Sequence, residues 1–128
     1  MKDDGNLNVL VVEDEATILK LIIFLLKKNF YKVAVAGYEV EIFETLKKKT
    51  PAIIILSVNH KNIDAIGVIR KVRETEDTSG MPILCLSSKG SELKMMRALQ
   101  EGATSYIVKP FTPKDLLDKV IASLRKEA

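Results

Sequence analysis

Short runs rich in apolar and β-branched residues recur along the chain at residues 7–12, 33–36, 53–56, 83–86 and 105–108. Several are apolar at every position, the pattern of parallel strands covered on both faces. Longer stretches of helical periodicity lie between them. In the last of these Leu116, Leu117, Val120, Ile121 and Leu124 form one stripe, with Lys114, Asp118 and Lys119 away from it. Its start is signalled by Thr112 as cap, Pro113 at the first helical position and Asp115 three residues after the cap. Gly102, after Leu99-Gln100-Glu101, is placed to end the preceding helix in a left-handed conformation. A βα unit repeated five times predicts an α/β fold: an open, doubly wound parallel sheet of five strands with five helices on both faces.

The first helical stretch is less tidy. Ile18, Leu21, Ile22 and Leu25 cluster on one side, opposite Lys20 and Lys27. Ile23 and Phe24 flank the lysine ridge, where a solvated helix is normally polar, and offer a contact for a partner or a second copy. In the fourth helical stretch one of Met95 and Met96 is expected in the core and the other on an adaptable surface.

Composition narrows the class. At 128 residues, 47% hydrophobic and 29% charged, the chain has the size and balance of one globular domain over residues 1–128. Residues 1–6 are polar, read as a flexible tail with no signal-peptide core. The longest apolar stretch, residues 18–26, is broken by Lys20 and too short to span a bilayer, so a cytoplasmic protein is expected. Net charge is +3 with the signs interleaved, which leaves no stripe for nucleic acid. Lys47-Lys48-Lys49 suits the negative end of the second helix and is read as solvated. Cys85, the one cysteine, lies in an apolar run and reads as a buried small hydrophobe. Asp64 reads as a helix cap.

In an open parallel sheet, chemistry gathers beyond the carboxyl ends of the strands. Here those ends carry Glu13-Asp14-Glu15, then Ser57, Val58 and Asn59, then Ser87 and Ser88, and finally Lys109-Pro110. A phosphate-cradling loop needs glycines and free amides, so an acidic first loop disfavours flavin or nucleotide. Paired carboxylates beside a lysine suit magnesium instead.

With those residues in view, the chain resembles the receiver domains of bacterial two-component response regulators, similar to the chemotaxis response regulator. The resemblance is carried by residues 9–15, 51–56, 82–87 and, most specifically, Gly102-Ala103-Thr104-Ser105-Tyr106-Ile107-Val108-Lys109-Pro110-Phe111. It implies the flavodoxin-like receiver fold with strand order 2-1-3-4-5. It implies magnesium held by Glu13, Asp14 and the backbone carbonyl of Asn59. Ser87 matches the hydroxyl that bonds the phosphoryl group, Lys109 the lysine that contacts its oxygens, and Tyr106 the switch aromatic. Partners would be a sensor kinase, a phosphotransfer protein or an effector, met mainly through the fourth helix, fifth strand and fifth helix.

One position departs from that pattern. The aspartate that accepts phosphate is replaced by Ser57, and the loop after it reads His60-Lys61-Asn62. A hydroxyl needs a general base to become a useful nucleophile, whereas a carboxylate is already anionic. His60, three residues on, is expected in solvent and not as a base. With an aspartate the cluster of Glu13, Asp14 and Lys109 would sum to minus two, and with serine to minus one. Magnesium is therefore expected to bind weakly, and Lys109 to pair with Asp14 or Glu13. The expectation is an atypical, non-enzymatic receiver acting through protein contacts, possible homodimer included. Its rival is a working magnesium-dependent acceptor that uses Ser57.

Overall fold

Residues 8–125 are described by a computed structural model; the tail expected over residues 1–6 lies outside them. Elements alternate in the order β1 (Asn8–Val12), α1 (Ala16–Lys28), β2 (Lys32–Val35), α2 (Glu39–Lys48), β3 (Ile53–Ser57), α3 (Ala65–Glu74), β4 (Ile83–Ser87), α4 (Glu92–Glu101), β5 (Ser105–Val108) and α5 (Pro113–Leu124). The strands form one parallel sheet in the order β2-β1-β3-β4-β5, as expected. A short 3-10 turn, Glu76–Thr78, intervenes before β4.

Successive residues of a strand point to opposite faces, so the sheet builds two cores. Leu10, Val12, Ile54, Leu56, Ile83 and Cys85 pack against α2, α3 and α4 through Ile42, Leu46, Val68, Ile69, Val72, Met95 and Ala98. Val9, Val11, Ile53, Ile55, Leu84, Leu86 and Ile107 pack against α1 and α5 through Ile22, Leu25, Leu26, Leu116 and Val120. Strands β3 and β4 are buried at every position, which explains their unbroken apolar runs. Burial pushes the Cys85 thiol up to about 12, leaving it an inert core residue.

Helix ends follow the sequence signals. Asp64 Oδ1 accepts the Gly67 amide at 3.2 Å. Thr112 Oγ1 accepts the Asp115 amide at 3.0 Å and Asp115 returns the bond to the Thr112 amide at 3.4 Å. Gly102 adopts φ +122° at the end of α4, with Arg73 packed where a side chain would stand. Met95 is in the core and Met96 exposed. On α1, Ile23 is half-buried and Phe24 exposed, its ring 5.8 Å from the Lys28 ammonium.

Two features differ from the periodicity. Ile121, assigned to the buried stripe of α5, is 41% exposed, and the buried line runs Leu116, Val120, Ser123. Those positions are spaced four and three residues apart, so the packed seam is rotated toward Ser123. The Ser123 hydroxyl is fully buried and lacks a hydrogen-bond partner. Ser123→Ala is therefore expected to raise stability by about 1 kcal/mol, the desolvation cost of an unpaired hydroxyl. Thermal unfolding checks it: a Tm rise of about 3 °C is expected, and a fall would mean the hydroxyl is satisfied.

The second feature is Arg73, which sequence reasoning did not single out. Its guanidinium donates to the carbonyls of Ser79 (3.0 Å), Met81 (2.6 Å) and Gly102 (2.9 Å), and to Thr104 Oγ1 (3.4 Å). It ties the end of α3 to the starts of β4 and β5, at the edge of the sheet opposite the acidic loop.

Candidate functional site

Strand register brings the candidate residues together. Val12 lies beside Leu56, Ser57 beside Leu86, and Ser87 beside Val108. The residues that follow each strand therefore converge at one edge, where parallel strands all end. Ser57 and Ser87 close β3 and β4 themselves, one residue beyond the apolar runs.

Glu13 and Lys109 form the centre. Both are buried, at 2% and 8% exposure, and the Lys109 ammonium lies 2.7 Å from Glu13 Oε1. The other carboxylate oxygen, Oε2, accepts the Glu15 amide at 2.9 Å. Lys109 has a second partner, Glu15 Oε1 at 3.0 Å, on a side chain more than half exposed. Burial alone would lower the Lys109 pKa, but its contacts with Glu13 and Glu15 outweigh that and hold it above the ordinary lysine value.

Of the two partners expected for Lys109, Asp14 or Glu13, it is Glu13 that pairs with it, and Glu15 joins as a second. Asp14 turns outward, and its Oδ2 accepts the Lys61 amide at 3.1 Å. Its slight burial raises the carboxyl pKa, while the Lys61 amide and the proximity of His60 and Lys109 bring it below the usual aspartate value.

Ser57 is completely buried, and its Oγ accepts the Asn59 amide at 3.3 Å. The Asn59 side chain bridges to the next loop: Oδ1 accepts the Ser88 amide and Nδ2 donates to Ser91 Oγ, both at 2.9 Å. Ser87 Oγ donates to the Ser88 carbonyl at 3.1 Å. The Lys109 amide bonds the Ser87 carbonyl at 2.7 Å, which fixes β5 against β4 at the site.

His60 was expected in solvent. It is buried, at 8% exposure, and Nδ1 accepts the Asn62 amide at 3.1 Å. That bond, made to an amide two residues on, holds the ring against its own loop instead of releasing it to solvent. With Nδ1 engaged as a backbone acceptor, that nitrogen is not free to take a proton from a nucleophile.

Tyr106 stands on the opposite side of β5 from Ser105 and Ile107, 42% exposed. With Met95, Met96, Leu99, Val108 and Ser88 it lines a groove of about 240 Å³ between α4 and β5. The donors available to a metal are hard oxygens, as magnesium prefers. Glu13, however, is already bound to Lys109, and among the described residues no three His, Cys, Asp or Glu side chains converge as a metal-binding group. Among the described residues no helix is long and apolar enough to cross a membrane.

Known proteins resemble this chain in sequence and fold. Residues 9–121 match the model of the response regulator receiver domain. The chain is 33% identical over 118 residues to the transcriptional regulatory protein SrrA of Staphylococcus aureus, covering 92% of this chain and 48% of SrrA. It thus spans about half the length of the curated relatives it matches. Among solved structures it is similar to the chemotaxis response regulator CheY4 of Vibrio cholerae, with TM-score 0.84, 28% identity, and 93% and 99% of the two chains covered. It is equally similar to a signal receiver domain from Bermanella marisrubri, with TM-score 0.85, 28% identity, and 94% and 99% covered. Receiver domains are signalling modules that interact with kinases and effector domains. With the family match running from the second residue of β1 into α5, the chain belongs to the response regulator receiver-domain family of two-component signalling.

Proposed function

We propose that this receiver signals through protein contacts without accepting phosphate. The observation that carries the reading is Ser57: a fully buried, neutral hydroxyl at the acceptor position, whose Oγ accepts the Asn59 amide. The family reaction needs a nucleophile that attacks phosphorus, and a serine hydroxyl attacks well only when a base removes its proton. The nearest histidine has its Nδ1 occupied, and Glu13 is neutralised by Lys109.

Glu13, Asp14 and the Asn59 carbonyl would hold magnesium, which when bound would neutralise charge on a phosphoryl group. Lys109 and Ser87 would face that group's oxygens. The residues suit a signalling module rather than an enzyme, working in the cytoplasm with a kinase, phosphotransfer protein or effector as partner. The groove beside Tyr106, with exposed Met96 and Leu99 on its rim, is the surface for such contacts. Exposed Phe24 on α1 is a second, smaller contact, for a partner or a second copy.

Incubating the chain with magnesium and a small acyl-phosphate donor, followed by intact-mass measurement, tests the acceptor. The native chain is expected to gain no phosphate while Ser57→Asp gains one. A phosphate on the native chain mapped to Ser57 would overturn the reading and favour the serine acceptor.

A further inference from the structure

Glu15 was legible only as the third acid of the first loop, yet its carboxylate lies 3.0 Å from the Lys109 ammonium. Three facts make the contact more than a surface ion pair. Its backbone amide is held by Glu13 Oε2 at 2.9 Å, so the chain is anchored at the buried acid. Its partner Lys109 is buried, at 8% exposure, and also paired with Glu13 at 2.7 Å. Its own side chain is 58% exposed, so it can leave. Lys109 therefore has one fixed anion, Glu13, and one removable anion, Glu15. The charge balance agrees: Glu13, Asp14, Glu15 and Lys109 sum to minus two, the value the cluster would have with an aspartate at position 57 and without Glu15.

We propose that Glu15 is a positioning residue that acts through Lys109: a tethered carboxylate occupying the ammonium face an incoming phosphoryl group would need, and so screening the site from anions. This rests on the reading of Lys109 as the phosphoryl-facing cation. The screen is local and reversible, since an exposed carboxylate exchanges with water readily.

Two measurements test it on the full chain. In the first, inorganic phosphate is titrated in the presence of magnesium and followed by backbone amide NMR shifts at Ser87, Ser88 and Lys109. Glu15→Gln is expected to bind phosphate about fivefold more tightly than the native chain, the scale of a partly exposed ion pair. Glu44→Gln, an exposed acid on α2, removes the same charge elsewhere and is expected to change nothing. Adding Lys109→Gln should abolish the Glu15→Gln gain, because the two act as a coupled pair. A gain that persists without Lys109 would reduce Glu15 to a general charge effect and overturn the proposal, as would no gain at all.

The second measurement is the rate of phosphate incorporation from an acyl-phosphate donor. Glu15→Gln/Ser57→Asp is expected to react about fivefold faster than Ser57→Asp, and Glu15→Asp/Ser57→Asp to fall between them. Equal rates would overturn the screen while leaving the reading of Ser57 intact. Phosphate on Ser57 of the native chain would overturn that reading whatever Glu15 does.

Discussion

Lys109→Met is expected to lower the unfolding free energy by about 3–5 kcal/mol, the cost of leaving a buried charge without its partner. Methionine fills much the same volume, so packing is largely kept and the loss is electrostatic. The charge left behind is Glu13, whose side chain is fully buried and whose Oε1 faces the ammonium at 2.7 Å. The Glu15 amide still donates to Oε2, but one neutral hydrogen bond does not replace an ammonium. Urea unfolding followed by far-UV circular dichroism measures the loss. Adding Glu13→Gln should recover most of it, to within about 1 kcal/mol of the native chain, because removing both partners leaves no uncompensated charge. A cost below about 1 kcal/mol for Lys109→Met alone would mean that water reaches Glu13.

The same pair sets an alkaline limit. Lys109 is held above the ordinary lysine value, so folding stabilises its charged form. That contribution is fully present below the unfolded-state pKa of about 10.4 and is lost as pH rises through the higher folded value. Stability near neutrality is therefore indifferent to Lys109 titration, and the loss appears only in strongly alkaline buffer.

Most of this architecture was legible in the chain because its signals are local. Unbroken apolar runs at residues 53–56 and 83–86 demand cover on both faces, and the structure supplies it with α1 and α5 on one side and α2 to α4 on the other. Thr112, Pro113 and Asp115 encode a helix start within four residues, and Gly102 a helix end within one. What failed left no periodic signal in the chain. His60 sits in a polar loop, where the Asn62 amide bonds its ring nitrogen, and loop turns of this kind have no periodicity. Ile121 fits a helical stripe as well as Ser123 does, and only the sheet decides which of them faces inward.

The site divides in the same way. That Glu13, Ser57, Ser87 and Lys109 share one edge was legible because each ends or directly follows a strand, and parallel strands end together. Glu15 as a partner of Lys109 was not, because the two are 94 residues apart and the choice between Asp14 and Glu15 depends on which side chain turns toward β5. Arg73 was missed for the same reason: carbonyl acceptors on Ser79, Met81 and Gly102 leave no mark in composition. A repeated pattern that a side chain shares with its neighbours is readable, and a single long contact is not.

Restoring the carboxylate by Ser57→Asp is expected to destabilise the metal-free chain by about 2–4 kcal/mol, and magnesium to return most of it. Position 57 is fully buried and one strand away from buried Glu13, so an aspartate there enters low-dielectric surroundings beside a like charge. The cluster of Glu13, Asp14, Glu15 and Lys109 would move from minus two to minus three. Lys109 offsets the addition only in part, because its ammonium already faces two carboxylates and must release exposed Glu15 to meet a third. Both effects raise the new carboxyl's folded pKa above the unfolded aspartate value of about 3.9. The penalty is therefore absent below that value, where both states are protonated, grows as pH rises from it to the folded pKa, and is constant above. Bound magnesium would offset most of the penalty, with the added carboxylate serving as a ligand: at a hundred times its dissociation constant it would add about 2.7 kcal/mol. Melting temperatures with and without about 10 mM magnesium decide the matter, with a large upward shift expected for Ser57→Asp and about 1 °C or less for the native chain. Equal shifts in the two chains would mean that Glu13 and Asp14 hold the ion unaided, and that the serine at position 57 does not weaken it.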